Sequence, residues 1–142
     1  MILPDVNVLV HAYNTGASAH PQARAWWEQV LSAPEPVTLP WVVILGYVRI
    51  MTNPRAVLRP ISISDAARDV RSWLGCQQAT IIHPGEKHAG LFFGFLTAIG
   101  KGANLTTDAH LAALSLEHHA RIATTDNDFA RFKGVRWFNP LD

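Results

Sequence analysis

Two short apolar runs, each ending on carboxylates, constrain this chain most. The first is Met1-Ile2-Leu3-Pro4-Asp5, and the second is Arg121-Ile122-Ala123-Thr124-Thr125-Asp126-Asn127-Asp128. A short continuous apolar run suits a strand buried in a parallel sheet, and the polar residue that breaks the pattern marks where the next element begins. A carboxylate at such a point is drawn out of water. It needs a cation, hydrogen-bond donors or a metal opposite it, or it loses its charge. The same device at both ends of the chain predicts one shared site reached by two strands.

Between these runs the pattern alternates. Helices are predicted over Val6–Tyr13 and His20–Leu31, the second with Ala23, Trp26, Trp27, Val30 and Leu31 at helical spacing. A strand at Val37–Leu39 leads through Pro40 into Trp41–Met51, a helix apolar nearly all round and so expected to be buried. Ser62 or Ser64 can cap a helix over Asp65–Gly75. A third strand at Thr80–Ile82 precedes a helix over Glu86–Ile99 with Leu91, Phe92, Phe95 and Leu96 as its apolar face, closed by Gly100. A further helix runs from about Asp108 to His119, and strands follow at Ile122–Thr124 and Val135–Phe138. Alternating strands and helices imply an α/β fold, a parallel sheet covered on both faces. Ligand sites in such sheets lie beyond the carboxyl ends of the strands. Asp5 and Asp126 leave strand ends and Asp108 opens a helix, so all three can meet on that edge.

Length and composition fit one domain over residues 1–142 with a normal core. The start lacks a basic region ahead of an apolar stretch, and no apolar run approaches the ~20 residues of a membrane helix, so a cytoplasmic protein is expected. Cys76 is alone and forms no internal disulfide. Net charge is +1, yet setting aside Asp5, Asp108, Asp126 and Asp128 leaves 12 basic residues against 7 acids, a background of +5. A mildly positive surface around an acidic site suits a polyanionic substrate.

Carboxylates gathered in one place repel. A pair about 4 Å apart costs roughly 4 kcal/mol at an effective dielectric near 20. A divalent cation removes that cost, and an all-oxygen site selects a hard ion, Mg²⁺ or Mn²⁺, which keeps waters and leaves room for phosphate oxygens. Phosphodiester hydrolysis by activated water is the matching chemistry. The seven histidines show no zinc spacing and read as surface residues, and most of the five tryptophans read as core. No serine-nucleophile elbow and no phosphate-binding glycine loop is present.

Asp5-Val6-Asn7-Val8-Leu9-Val10, Thr106-Thr107-Asp108-Ala109-His110-Leu111-Ala112-Ala113 and Ala123-Thr124-Thr125-Asp126-Asn127-Asp128-Phe129, in this order, resemble the PIN-domain nucleases, specifically VapC-type toxins of toxin–antitoxin pairs. The resemblance covers essentially the whole chain. It implies a three-layer α/β/α fold with a parallel sheet of four to five strands, and a metal-dependent endoribonuclease acting on RNA. It also implies a homodimer held inactive by a cognate antitoxin that occupies the active-site groove. Carried over by motif, Asp5, Asp108 and Asp126 would be metal ligands, Asp128 a nearby acid, and Asn7 and Thr124 polar positioning groups. One departure stands out. The family often places a further acid on the helix after the second strand, and Trp41–Arg49 has none; Ile44 or Gly46 is nearest to that place by spacing. The alternative is a catalytically weak or inactive PIN-like module that binds RNA or a partner protein.

Overall fold

A computed structural model describes all of residues 1–142. Its five strands, β1 (Ile2–Pro4), β2 (Val37–Thr38), β3 (Ala79–Thr80), β4 (Arg121–Ala123) and β5 (Trp137–Phe138), form one sheet in the order β3-β2-β1-β4-β5. Every pairing is parallel. The fold is a three-layer α/β/α arrangement with six α-helices, as expected. β1 sits at the centre because it is the most apolar strand and is wholly buried. The chain leaves β1 toward β2 on one side and meets β4 on the other. The switch point therefore falls between β1 and β4, whose registers align Pro4 with Ala123. A crevice opens there beyond the strand ends.

The helices are α1 (Val6–Tyr13), α2 (His20–Ser32), α3 (Trp41–Met51), α4 (Ile63–Leu74), α5 (His88–Ile99) and α6 (Thr106–Glu117). Local chemistry fixes their ends. Asp5 caps α1 by accepting the backbone N–H of Val6, Ser62 caps α4 by accepting that of Asp65, and Gly100 ends α5 in the left-handed region at φ 84°. α1 to α4 are riveted by an aromatic cluster. Trp73 donates its indole N–H to the Tyr13 hydroxyl at 2.7 Å, the Tyr47 ring lies 4.7 Å from Trp73, and Trp27 meets Trp73 edge-on.

The structure corrects three expectations. α3 is buried along one face, while Trp41 is 51% and Leu45 61% exposed. Trp41, Leu45 and Arg49 recur every four residues and form one exposed stripe, so hydropathy all round a helix does not settle which face is buried. Only Trp27 and Trp73 among the tryptophans are wholly buried, and Trp26 packs on Trp27 and Phe138. The apolar helix α5 contains no fully buried residue: it rests on α6 and leaves Phe93 61% exposed. No helix is long and apolar enough to cross a membrane.

Candidate metal centre

Asp5 follows β1 directly, and its backbone N–H donates to Ala123 of β4 at 2.9 Å, so the carboxylate stands in the crevice between the two strands. It is only 8% exposed. Three donors compensate for its burial. Oδ1 accepts the Val6 N–H at 2.7 Å, and Oδ2 accepts the Thr124 hydroxyl at 2.8 Å and the Asn7 amide at 3.3 Å. Burial nevertheless wins, and the Asp5 carboxyl is held above the usual carboxylate range, with the charge of Asp126 adding to the effect.

Thr124 ties the two strand ends together. Its hydroxyl also accepts the Asp126 N–H at 3.0 Å and the Asn7 amide at 3.2 Å, while Asn7 Oδ1 accepts the Thr125 N–H at 3.2 Å. Asn7 and Thr124 thus hold the backbone between the acids. Asp126 Oδ1 accepts the Asp128 N–H at 2.8 Å, a turn that folds Asp128 back beside it.

Asp108 arrives from the first turn of α6. One carboxylate oxygen each from Asp108, Asp126 and Asp128 lies within 4.8 Å of the others. Burial and then the charges of Asp5, Asp126 and Asp128 push the Asp108 carboxyl up to about 7. All four acids are therefore gathered at one edge. The closely spaced triad differs by one member from the metal set expected from the sequence: Asp128 stands in it, whereas Asp5 spends three of its roughly four lone-pair sites on the protein. An all-oxygen set with mutual repulsion fits a hard divalent cation, which would offset both the burial and the repulsion that lift Asp108.

A cleft of about 370 Å³ lies over this group, walled by Val6, Val10 and Ile50 and bordered by Asn7 and His11. His11 was not singled out in the sequence. Its signal was its place four residues after Asn7, on the same face of α1. Its Nδ1 is buried without a partner. The helix that lacks an acid touches the site only in part. A Cβ at Gly46 would meet the Val6 side chain at 2.7 Å, whereas Ile44 faces a groove with Val70 and Leu74 of α4, away from the acids. Of the two positions suggested by spacing, Gly46 alone borders the site. The reading of the histidines as surface residues fails for His88 and His110, which hydrogen-bond to each other at 2.9 Å.

The sequence and the fold match known proteins. The PIN domain family matches residues 2–135. The chain belongs to the PIN-domain family and, within it, to the VapC group. It is 41% identical over 140 residues to ribonuclease VapC37 of Mycobacterium tuberculosis, covering 99% of this chain and 97% of that one. The solved structure of Mycobacterium tuberculosis VapC20, described as a sarcin-ricin loop cleaving toxin, superposes with a TM-score of 0.68 at 17% identity, covering 96% of this chain and 99% of that one. A toxin–antitoxin complex from Klebsiella pneumoniae superposes with a TM-score of 0.60 at 16% identity over 99% and 98% of the two chains.

Proposed function

We propose that this protein is a cytoplasmic endoribonuclease, the toxin of a toxin–antitoxin pair, that hydrolyses RNA phosphodiester bonds with a divalent cation. The observation that carries this reading is the convergence of Asp5, Asp108, Asp126 and Asp128 at the switch point, with Asp108 lifted to about 7 by burial and then by its acidic neighbours. Asp108, Asp126 and Asp128 would hold the cation, with Asp5 reaching it through its remaining lone pair. A bound Mg²⁺, or Mn²⁺ in its place, supplies an activated water and offsets the charge that builds on the phosphate. Thr124 and Asn7 position the acids, since each bridges the β1 and β4 ends. Val6, Val10 and Ile50 form an apolar wall that limits water on one side of the cleft. VapC37 bears the name ribonuclease, and the related complex pairs a toxin with an antitoxin, which supports both the substrate class and the partner. The apolar α5 surface and Phe93 support a homodimer.

The test is incubation of the purified protein with RNA in Mg²⁺, in Mn²⁺ and in chelator. Cleavage should require the metal. Asp126→Asn and Asp108→Asn should each lower it by roughly a hundredfold or more, the scale of losing several kcal/mol of charge stabilisation. Cleavage that persists in chelator, or full activity in both folded variants, refutes the assignment. The lack of an acid on α3 favours a second reading, a PIN-like module that binds RNA or a partner protein without cutting. Metal-dependent cleavage eliminates it.

A further inference from the structure

The first turns of α6 face two cavities. Asp108 lines the acidic cleft, whereas Thr106, Thr107 and His110 line a second cavity of about 410 Å³, completed by Val42 of α3 and by His88 and Phe92 of α5. His110 lies two residues beyond Asp108, so the two cavities are neighbours across one helix.

A chain of hydrogen bonds fixes His110 from behind. Its Nδ1 is 2.9 Å from His88 Nε2, and His88 Nδ1 is 2.9 Å from Glu117 Oε1. Both Glu117 oxygens accept the Gly85 N–H, at 3.2 and 3.1 Å. The His88 and Glu117 side chains are largely buried. Gly85 must stay a glycine for this contact, because a Cβ there would lie 2.6 Å from Glu117 Oε2. A carboxylate only accepts, so His88 carries a proton on Nδ1, and the tautomer in which His88 Nε2 accepts from His110 Nδ1–H completes the chain. His110 is left with a bare Nε2 that bonds to nothing in the protein. A strut joining α5 to α6 is complete at His88. The second ring carries a single, oriented acceptor forward to the cavity.

The adjoining wall is aromatic. The His88 and Phe92 rings lie nearly parallel, 9° apart at 6.1 Å. Thr106 and Thr107 add two hydroxyl-bearing side chains to the lining. A cavity of this size with an aromatic wall and a few placed polar groups is built for a small flat ligand. Proteins that recognise single-stranded RNA stack splayed bases on aromatic rings and hydrogen-bond to their edges.

We infer that this cavity is the pocket for one RNA base next to the scissile phosphate, with Phe92 stacking on the base and His110 Nε2 accepting an N–H from its edge. The inference rests on the ribonuclease reading and adds which part of the RNA is read. Glu117 is a positioning residue that acts through His88. A ribose 2′-hydroxyl offers the same kind of donor, so the two sources must be separated.

The binding test uses four short oligoribonucleotides differing in base, titrated by fluorescence anisotropy in chelator, where nothing is cut. The wild type should favour one base, and His110→Ala should lose that preference, weakening the favoured oligonucleotide about tenfold, the scale of one specific base contact. His110→Gln serves in the same role if the alanine variant does not fold. A single 2′-deoxy substitution should leave the preference in place. In parallel, a randomised RNA pool is cut in Mg²⁺ and the ends are sequenced. Preference at one position beside the cut should flatten in the His110 variant and in Phe92→Ala. Glu117→Gln should blunt the same position while the others stay unchanged. Equal binding of all four bases by the wild type, an unaltered preference in a folded His110 variant, or a preference that follows the 2′-hydroxyl overturns the inference. So does a change of mass in light scattering on His110→Ala, which would show the cavity to be a contact between two copies. If the wild type cuts no RNA, the ribonuclease reading falls, and the binding arm still decides the pocket.

Discussion

Replacing Asp108 with Asn should stabilise the metal-free protein above neutral pH while it abolishes activity. Burial and the charges of Asp5, Asp126 and Asp128 raise this carboxyl from its ordinary 3.8 to about 7. In the unfolded chain the same group gives up its proton near its ordinary value. Its contribution to stability is therefore full below about pH 4, is lost progressively as pH rises to about 7, and stays lost above. At about 1.36 kcal/mol for each tenfold change in proton affinity the whole shift is worth ~4 kcal/mol. The side chain is half open to water, and screening reduces this to ~2 kcal/mol. Asn keeps the shape and carries no charge, so the variant escapes the loss. For a chain of this length that is a melting temperature ~6 °C higher than the wild type at pH 8. Thermal unfolding followed by circular dichroism in chelator at pH 8 and pH 4.5 measures it, and the gap should narrow at the lower pH. Excess divalent cation at pH 8 should close the gap, because the wild type gains binding energy that the variant lacks. A variant that melts below the wild type at pH 8 in chelator, or a gap equal at both pH values, would refute the argument that burial and neighbouring charge raise the Asp108 carboxyl.

Thr124→Val keeps the buried shape but strips partners from Asp5, Asn7 and the Asp126 N–H; urea unfolding should show a loss of ~2 kcal/mol, mostly restored in Thr124→Ser. Gly46→Ala should cost about 1–3 kcal/mol by pressing on Val6, and Val6→Ala should recover part of it, a coupling that denaturation of the single and double variants reads directly. Ile44→Glu should destabilise the protein and add no metal affinity in calorimetric titration, since that side chain faces α4. Phe93→Asp should turn a dimer into a monomer in light scattering if the α5 surface is the contact.

The order of elements and the gathering of acids were readable from the chain because both rest on local pattern. An apolar run that stops on an acid says where β1 and β4 end, and five strands alternating with helices leave few ways to connect them. The strands proved shorter than expected, as β2 and β3 hold two residues each. Ladder length depends on the partner strand, and a single stretch of sequence carries no record of it. The Glu117–His88–His110 chain was invisible for a related reason. Glu117 and His88 are 29 residues apart and His88 and His110 are 22 apart, and only the packing of α5 on α6 brings them together. Trp41 misled because a helix apolar nearly all round carries no signal of which face meets the core, and Trp41 lies on the exposed stripe with Leu45.

The bonds that knit Thr124 to Asp5 and Asn7 span 119 and 117 residues. During synthesis the amino-terminal acid is made among the first residues and waits for almost the entire chain before its partner strand exists. A ribosome stalled or a message cut anywhere before the codon for Asp126 releases a fragment with Asp5 but no second strand end to close the crevice. A nascent copy of the proposed nuclease therefore has no closed acidic crevice until its own translation is all but finished.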